Sequence, residues 1–388
     1  MAARLAPLAL AAIALGGPPA AAIPWDAGGA IPPARTPPPA RADPFCRQSY
    51  ADDAPRGGLA LRLGIGPRLA GQSGAAQTGR VVPENARARD AALLRLAGRR
   101  SFTVRLNRLF SGDGAPGIAR FRRQARHFAR LGLDVELQVR YHPRPAQDGD
   151  LGAWLRFVRQ AVRAFGPIRR VAGLQITNEV NLKFSPNTSD GAYRGAVPAL
   201  VEGVVAAKRE ARRHRFRQLR IGFNAAWRFG DGDAAFWRAI GRRGGARLRR
   251  ATDWVGVDLY PGTFAPPAAA IVHLGDAFLE GLAQMRECYL PLAGFGRSTP
   301  LRVEETGWPT GPGRSEAAQR AAVRAIVGTA VRYRGTYHVT DLRWFGLRDN
   351  DSSSADPQAR FGLLRDDYAR KPAFAAFRCL VARYGAPP

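Results

Sequence analysis

Residues 153–177 read AWLRFVRQAVRAFGPIRRVAGLQIT, a helix-like segment followed by a strand-like one. In the first part, Ala153–Phe165, apolar residues recur at spacings of three and four, which is typical of an amphipathic helix. The second part, Gly173–Thr177, is a short β-rich run of the kind found in parallel strands buried on both faces. Because parallel neighbours need a crossover connection, usually a helix, the stretch predicts one unit of a parallel α/β sheet.

The same unit recurs along most of the chain. The other β-rich runs are Leu59–Ile65, Phe102–Leu106, Val135–Val139, Leu219–Phe223, Trp254–Leu259, Leu301–Glu304 and Leu342–Phe345, and helix-like segments between them include Ile118–Leu131, Ala196–His214 and Glu316–Tyr333. Eight strands at intervals of roughly 35–45 residues, each followed by a helix, predict an α/β protein with a single (β/α)8 TIM barrel. A doubly wound open sheet is the alternative.

The composition limits the class of protein. The chain has 388 residues and 41.9 kDa, with 46% hydrophobic and 23% charged residues, so it can bury a sizeable core and general disorder is excluded. Its mean hydropathy is -0.24, and beyond the N-terminus no apolar run reaches the roughly 18 residues that a membrane span needs. A polytopic membrane protein is excluded, and we find no sign of a second domain.

The net charge is +28, from 59 basic and 31 acidic residues, and all but three of the basic residues are arginine. We favour a compositional bias, because net charge concerns solubility and non-specific partners and not the fold. Non-specific attraction to anionic polymers of the cell envelope is the functional alternative. Nucleic acid is not an expected partner, since no known nucleic-acid motif is present. The five histidines lack metal-ligand spacing, so neither a metal nor a cofactor is expected.

Residues 1–22 have the features of a secretory signal peptide: a basic residue, the apolar segment Leu5–Leu15, and small residues up to Ala22, near which cleavage is expected. Residues 23–44 are rich in Pro, Ala and Gly and predict an extended linker. The barrel is assigned to residues 45–388. The protein is therefore predicted to be secreted, with an uncleaved membrane anchor as the alternative.

Export implies an oxidising compartment, which favours one disulfide among the three cysteines, Cys46, Cys288 and Cys379. The segment before the first strand and the final helix are neighbours in a closed barrel, and both lie away from the expected active face. We therefore predict a Cys46–Cys379 disulfide, with Cys288 free and largely buried.

Catalytic groups of a TIM barrel lie at the C-terminal ends of its strands. The fourth strand ends in Asn178-Glu179, where a carboxyl group can protonate a leaving oxygen; an acid at a helix N-terminus is the structural alternative. The seventh strand ends in Glu304-Glu305, followed by Thr-Gly-Trp-Pro. Adjacent side chains point to opposite faces, so one glutamate enters the barrel and the other faces outward or the rim. Two strand-end glutamates are the requirement for glycoside hydrolysis.

Residues 177–179 (TNE) and 305–309 (ETGWP) resemble the two signature segments of retaining glycoside hydrolases of the TIM-barrel clan A. The second segment is most similar to the β-1,3-glucanase family, whereas the first is commoner in the cellulase, mannanase and xylosidase families. The resemblance extends over residues 59–382. It implies that Glu179 is the acid/base and that Glu305 is the nucleophile.

The resemblance also implies residues that bind the substrate. Asn178 would bind the 2-hydroxyl of the sugar at the cleavage point. An arginine of the second strand, Arg105 or less well Arg108, would orient the nucleophile. Tyr260 would lie near the nucleophile, with an aromatic residue packed under a loop as the structural alternative. Trp344 would form an aromatic platform beneath the sugar, with a core tryptophan as the alternative.

Two further candidates come from their positions alone. Trp308 can cover the apolar face of a sugar ring, and His142, at the end of the third strand, is placed to line the cleft. The alternative for Trp308 is a purely structural tryptophan, and the alternative for His142 is a hydrogen-bonded histidine without a role in binding.

The leading hypothesis is a secreted, monomeric glycosidase that hydrolyses β-glycosidic bonds of a polysaccharide or oligosaccharide by a retaining mechanism. Retention requires the carboxyl groups of Glu179 and Glu305 to lie about 5–5.5 Å apart, with the first protonated and the second ionised. A non-catalytic barrel that binds carbohydrate or an anionic polymer is the alternative.

Overall fold

The chain folds into a closed barrel of eight parallel strands, in which each strand pairs with the next and the last pairs with the first. The computed structural model describes residues 50, 53–58, 60–67, 82–183, 188–227, 232–264 and 271–388. The predicted (β/α)8 TIM barrel is confirmed, and the open-sheet alternative is wrong. The predicted signal peptide and linker lie outside the described residues. None of the described helices is long and apolar enough to span a membrane.

The observed elements follow the sequence pattern closely. The strands are β1 (Arg62–Ile65), β2 (Phe102–Phe110), β3 (Asp134–Arg140), β4 (Val171–Ile176), β5 (Arg220–Ala226), β6 (Trp254–Asp258), β7 (Leu301–Thr306) and β8 (Val339–Trp344). The helices are α1 (Ala86–Ala97), α2 (Gly114–Arg130), α3 (Leu151–Phe165), α4 (Ala196–Arg213), α5 (Gly232–Ala251), α6 (Leu274–Gln284), α7 (Leu290–Leu292), α8 (Glu316–Tyr333) and α9 (Pro372–Tyr384). A π-helical turn at Met285–Tyr289 joins α6 to α7. β2 continues beyond its predicted end and so carries more side chains to the barrel mouth.

Outward-facing strand side chains are apolar and pack against the helices. Val104, Leu137 and Leu174 are fully shielded from solvent in the core cluster that also contains helix side chains. The helices begin where the sequence provides caps: the side chain of Asp150 accepts a hydrogen bond at the start of α3, and that of Ser315 does so at the start of α8. The apolar layer between strands and helices is therefore the main core of the protein.

Inward-facing side chains are largely charged, in contrast to the branched apolar layers usual in such barrels. Arg302 Nη1 lies 2.9 Å from Glu136 Oε2, and Arg343 Nη2 lies 2.6 Å from Asp341 Oδ1. Burial alone would raise the pKa of Glu136, but the charges of Arg343 and Arg302 lower it to about 2. Opposite charges thus compensate each other inside the barrel, directly below the residues of the mouth.

The predicted Cys46–Cys379 disulfide is wrong. Cys379 is an exposed free thiol on α9, whereas Cys288 is disulfide-bonded. Cys288 is 4% exposed, so the prediction that it is buried is confirmed and the prediction that it is free is not. The path of the chain before β1 explains why Cys288, and not Cys379, is oxidised. This segment contacts the connections that precede β7 and β8: Tyr50 Oη lies 3.2 Å from Cys288 Sγ, and Arg56 N donates to Thr336 Oγ1 at 2.8 Å. Cys46 lies outside the described residues.

We expect alkylation of the unreduced, denatured protein to label Cys379 and to leave Cys288 unlabelled, because the second is oxidised. Mass mapping of peptides before and after reduction measures this, and Cys379→Ser is the control that should remove the label. Labelling of Cys288 without reduction would contradict the assignment.

Candidate active site

Glu179 follows β4 at the barrel mouth in a turn held by its neighbours. Thr177 and Glu179 have φ angles of 65° and 44°, in the left-handed region that non-glycine residues seldom adopt. Asp190 Oδ2 accepts a hydrogen bond from Asn178 N at 2.9 Å. Asn224 Oδ1 accepts one from Glu179 N at 3.1 Å. These contacts fix the turn and with it the direction of the Glu179 side chain.

The end of β7 separates its two glutamates. The β7–β8 register shifts between Val303 and Thr306, which interrupts the regular alternation of side chains. Glu304 is fully buried inside the barrel, where it accepts a hydrogen bond from Arg105 Nε at 3.2 Å. The side chain of Glu305 is 12% exposed. Glu305 is therefore the glutamate of β7 that reaches the mouth.

Four donors surround the carboxylate of Glu305. Arg105 Nη1 donates to Oε1 at 2.8 Å, and Tyr260 Oη donates to Oε2 at 2.9 Å. Asn107 Nδ2 and Gln138 Nε2 approach Oε1 at 3.3 and 3.5 Å. The structure therefore places two of the predicted site residues, Arg105 and Tyr260, directly on the second glutamate.

The carboxyl group of Glu179 has a different environment. Burial, and next the negative charge of Glu305, raises the pKa of Glu179 to about 8, although the charge of Arg140 opposes the shift. Glu179 therefore holds a proton at neutral pH. Titratable groups whose environments differ in this way are suited to opposite roles, one as a proton donor and the other as a nucleophile.

A third carboxyl group, Asp258, lies at the same mouth and was not among the predicted residues. It is 2% exposed, and its Oδ2 accepts a hydrogen bond from Asn224 Nδ2 at 2.5 Å. Burial and the charges of Glu305 and Glu179 raise the pKa of Asp258 well above its ordinary value. These effects favour the protonated form of Asp258. No group of three or more His, Cys, Asp or Glu side chains in the described part of the chain is arranged to hold a metal ion.

Asn178 lies beside Glu179, but its amide is already engaged. Its Nδ2 donates to Glu179 Oε2 at 3.2 Å and to Thr188 O at 2.8 Å. Its Oδ1 accepts hydrogen bonds from Gln138 Nε2 at 2.8 Å and from Asn224 Nδ2 at 2.9 Å. In this structure Asn178 orients Glu179, and a bond to a sugar hydroxyl would replace one of these donations.

Aromatic side chains form one wall of the mouth, which we call the aromatic wall. Its members are Tyr260, Phe264, Phe345 and Phe361, and the ring centroids of contacting pairs lie 5.2 to 6.2 Å apart. Phe264 is 52% exposed, and Phe345 is partly exposed. Their exposed surfaces can cover the apolar face of a sugar ring.

The predicted platform residue Trp344 is not part of this wall. It is fully buried and packs against Phe377 of α9, with ring centroids 6.2 Å apart. Because side chains alternate along β8, Trp344 faces the helices and the next residue, Phe345, faces the mouth. The alternative of a core tryptophan therefore describes Trp344 correctly.

Trp308 is also absent from the mouth surface, against the prediction. It is 4% exposed, and the guanidinium carbon of Arg314 lies 3.7 Å from its ring centroid. The residue before it, Gly307, packs closely on the next strand end, where a Cβ atom would lie 2.4 Å from the Phe345 carbonyl oxygen. The structural alternative therefore describes Trp308 correctly.

His142 lies at the rim, after the end of β3, and is partly exposed. Its ring is tilted by 35° against the ring of Phe110 at a centroid distance of 4.3 Å and is in edge-to-face contact with Tyr193 at 5.4 Å. Burial and the charge of Arg140 lower the pKa of His142, so its imidazole is neutral at pH 7. The position is consistent with lining the cleft.

The sequence analysis missed the polar residues that support the glutamates. Asn107, Gln138, Asn224 and Asp258 all lie near the C-terminal ends of strands and are at most 6% exposed. A signal was available, because polar side chains at alternate positions of an otherwise apolar parallel strand indicate the side that faces into the barrel.

No protein-family model matches the sequence, and no curated protein matches it. Solved structures do match. A family 39 glycoside hydrolase from the gut symbiont Bacteroides cellulosilyticus aligns with a TM-score of 0.55 and 16% identity over 83% of this chain and 63% of that chain, so this chain spans less than two thirds of that protein.

Two further matches cover more of the matched protein. GH5_18 from Streptomyces cattleya, in complex with GlcNAc, aligns with a TM-score of 0.59 and 17% identity over 85% of this chain and 82% of that one. A glycoside hydrolase family 17 β-1,3-glucanosyltransferase from Rhizomucor miehei aligns with a TM-score of 0.51 and 16% identity over 80% of this chain and 95% of that one. At such identities the likeness is one of fold: the chain has the TIM-barrel fold that these glycoside hydrolases share.

Proposed function

We propose that this protein is a secreted, retaining β-glycosidase in which Glu305 is the nucleophile and Glu179 is the acid/base. One observation carries the proposal: two carboxyl groups end β4 and β7 at one mouth, and their environments differ. Glu305 accepts hydrogen bonds from Arg105 and Tyr260, whereas the pKa of Glu179 is raised to about 8. The resemblance of both strand ends to clan A sequences supports the same roles. Export rests on the N-terminal sequence pattern alone.

In the first step Glu179 donates its proton to the glycosidic oxygen as the bond from that oxygen to the anomeric carbon breaks. A carboxylate oxygen of Glu305 bonds to the same carbon and forms a glycosyl ester. The ester carries no negative charge, so the contribution of Glu305 to the raised pKa of Glu179 is lost, while that of burial remains. Glu179 has given up its proton and is then a carboxylate that can act as the base of the second step.

In the second step Glu179 takes a proton from water, and the oxygen of that water bonds to the anomeric carbon. Glu305 leaves as a carboxylate, and hydrogen bonds from Arg105 and Tyr260 stabilise its negative charge. Each displacement inverts the anomeric carbon, so two displacements retain its configuration. The carboxyl separation of about 5–5.5 Å that retention requires stays a prediction.

A screen of β-glucan, mannan, xylan and galactan for released reducing sugar tests the activity, and proton NMR of the first product tests the stereochemistry. We expect the β-anomer to form before mutarotation equilibrates it. An α-anomeric first product would identify an inverting enzyme. Binding of a polymer without any release would favour the non-catalytic carbohydrate-binding alternative.

A further inference from the structure

Two arginines and a histidine surround Phe110 at the ends of β2 and β3, and we call these four residues the cationic cluster. Arg108 Cζ lies 5.1 Å and Arg140 Cζ lies 5.4 Å from the Phe110 ring centroid. The ring of His142 lies 4.3 Å from the same centroid. Arg140 lies 2.7 Å from Asp190, which also accepts a hydrogen bond from Asn178 N, so the cationic cluster is linked to the turn that holds Glu179.

The two arginines differ in their partners. Arg140 Nε lies 2.7 Å from Asp190 Oδ1. Among the described residues, no carboxylate lies within 4 Å of the Arg108 guanidinium. The guanidinium lies over the ring of Phe110 in a cation–π contact. Asp113, whose charge also acts on Arg108, is paired with Arg120 at 2.7 Å. Arg108 is thus a half-buried cation without an ion-pair partner in the part of the chain that the structure describes.

Such a cation is costly to maintain. Burial and the positive charge of Arg140 lower the pKa of Arg108 to about 10, which shows that its environment disfavours the charged form. Its backbone is held in place nevertheless: φ is 70°, and Arg108 N donates to Gln138 Oε1 at 3.1 Å. Gln138 also bonds Asn178, so Arg108 is connected to the proposed catalytic turn. A bound anion would offset the cost.

We propose that the sugar unit bound beside Glu179 is a uronate, whose carboxylate accepts hydrogen bonds from Arg108. A guanidinium presents paired donors in a plane, which match the two oxygens of a carboxylate. The adjacent rings of Phe110, His142 and Tyr193 provide the apolar surface that a sugar ring needs. The inference rests on the proposed function, because it names the substrate class of the same site.

The test compares acidic oligosaccharides with neutral ones of the same linkage. Tetraglucuronates with β-1,3 and β-1,4 linkages, and the same compounds with carboxyl groups reduced to hydroxymethyl groups, are titrated by calorimetry into the Glu305→Gln variant, which leaves them uncleaved. At least one acidic compound should bind more tightly than its reduced partner. Arg108→Gln in the same background should lower the ratio of the two affinities by roughly tenfold to a hundredfold.

Arg209→Gln is the matched control, because Arg209 is exposed on α4 and its loss removes the same charge away from the mouth. If the ratio of the two affinities fell equally in Arg108→Gln and Arg209→Gln, the preference would reflect general attraction to a protein of net charge +28, and the inference would be overturned. So would the failure of every acidic compound to bind better than its reduced form. Binding of the reduced compounds and a cooperative thermal transition verify that Arg108→Gln is folded.

The outcomes also separate this inference from the proposed function. Retaining hydrolysis of neutral polymers without any preference for uronate would overturn the inference alone. Uronate binding that depends on Arg108, in a wild-type protein that cleaves none of the polymers or tetraglucuronates, would overturn the proposed function alone.

Discussion

Glu305→Ala is expected to lower turnover of every substrate by roughly 10⁴- to 10⁶-fold, because it removes the carboxylate that forms the glycosyl ester in the proposed mechanism. Azide is small enough to enter the space that the carboxylate leaves, and it should restore part of the activity. It would attack the same face of the anomeric carbon and yield an α-glycosyl azide from a β-glycoside. Initial rates and proton NMR of the product measure both effects.

Two comparisons make the Glu305 result specific. Glu202→Ala removes a glutamate that pairs with Arg247 on the helical surface, and it should leave turnover unchanged. Glu304→Gln changes the other glutamate of β7, which is buried inside the barrel, and so tests whether Glu304 is the nucleophile instead of Glu305. Near-wild-type activity of a folded Glu305→Ala variant would contradict the nucleophile assignment, as would azide rescue found for Glu304→Gln alone.

Glu179→Ala is expected to slow cleavage of natural polymer by roughly 10²- to 10⁴-fold, since the leaving hydroxyl then departs without a proton. Aryl glycosides with acidic phenol leaving groups need no proton, so their first step should be nearly spared. A series of aryl glycosides measures this as a steeper dependence of kcat/KM on the leaving-group pKa in the variant. Equal losses for all leaving groups would contradict the acid/base assignment.

The pH dependence provides an independent check on Glu179. Burial and the charge of Glu305 raise its pKa from 4.5 to about 8, so the protonated acid persists to that pH and kcat/KM should fall above it. Folding stability shifts in the same direction, because the native state binds a proton that the unfolded chain releases between pH 4.5 and about 8, and stability is lost as the pH rises through that window. In Glu305→Gln the pKa of Glu179, followed by carbon NMR, should fall.

The barrel and several site positions were predictable because the signals are local. An amphipathic helix followed by a short β-rich run, as at residues 153–177, reports the environment of each segment without knowledge of its partners. Strand ends in a parallel barrel share one edge, so Glu179 and Glu305 could be assigned to one mouth from their places in the chain, whereas Arg105 and Tyr260 were implied by the resemblance to clan A sequences.

What escaped the sequence depends on contacts between distant segments. Whether Trp344 or Phe345 lines the mouth depends on the register at the end of β8, where a shift of one residue exchanges the two faces. The disulfide of Cys288 depends on the path of the chain before β1, which no local pattern reports. The proton on Glu179 depends on its burial and on a charge from another strand. That Arg108 has no ion-pair partner among the described residues is seen only when its neighbours in space are known. Register, chain path and electrostatic environment are long-range properties, so they are decided when the barrel closes.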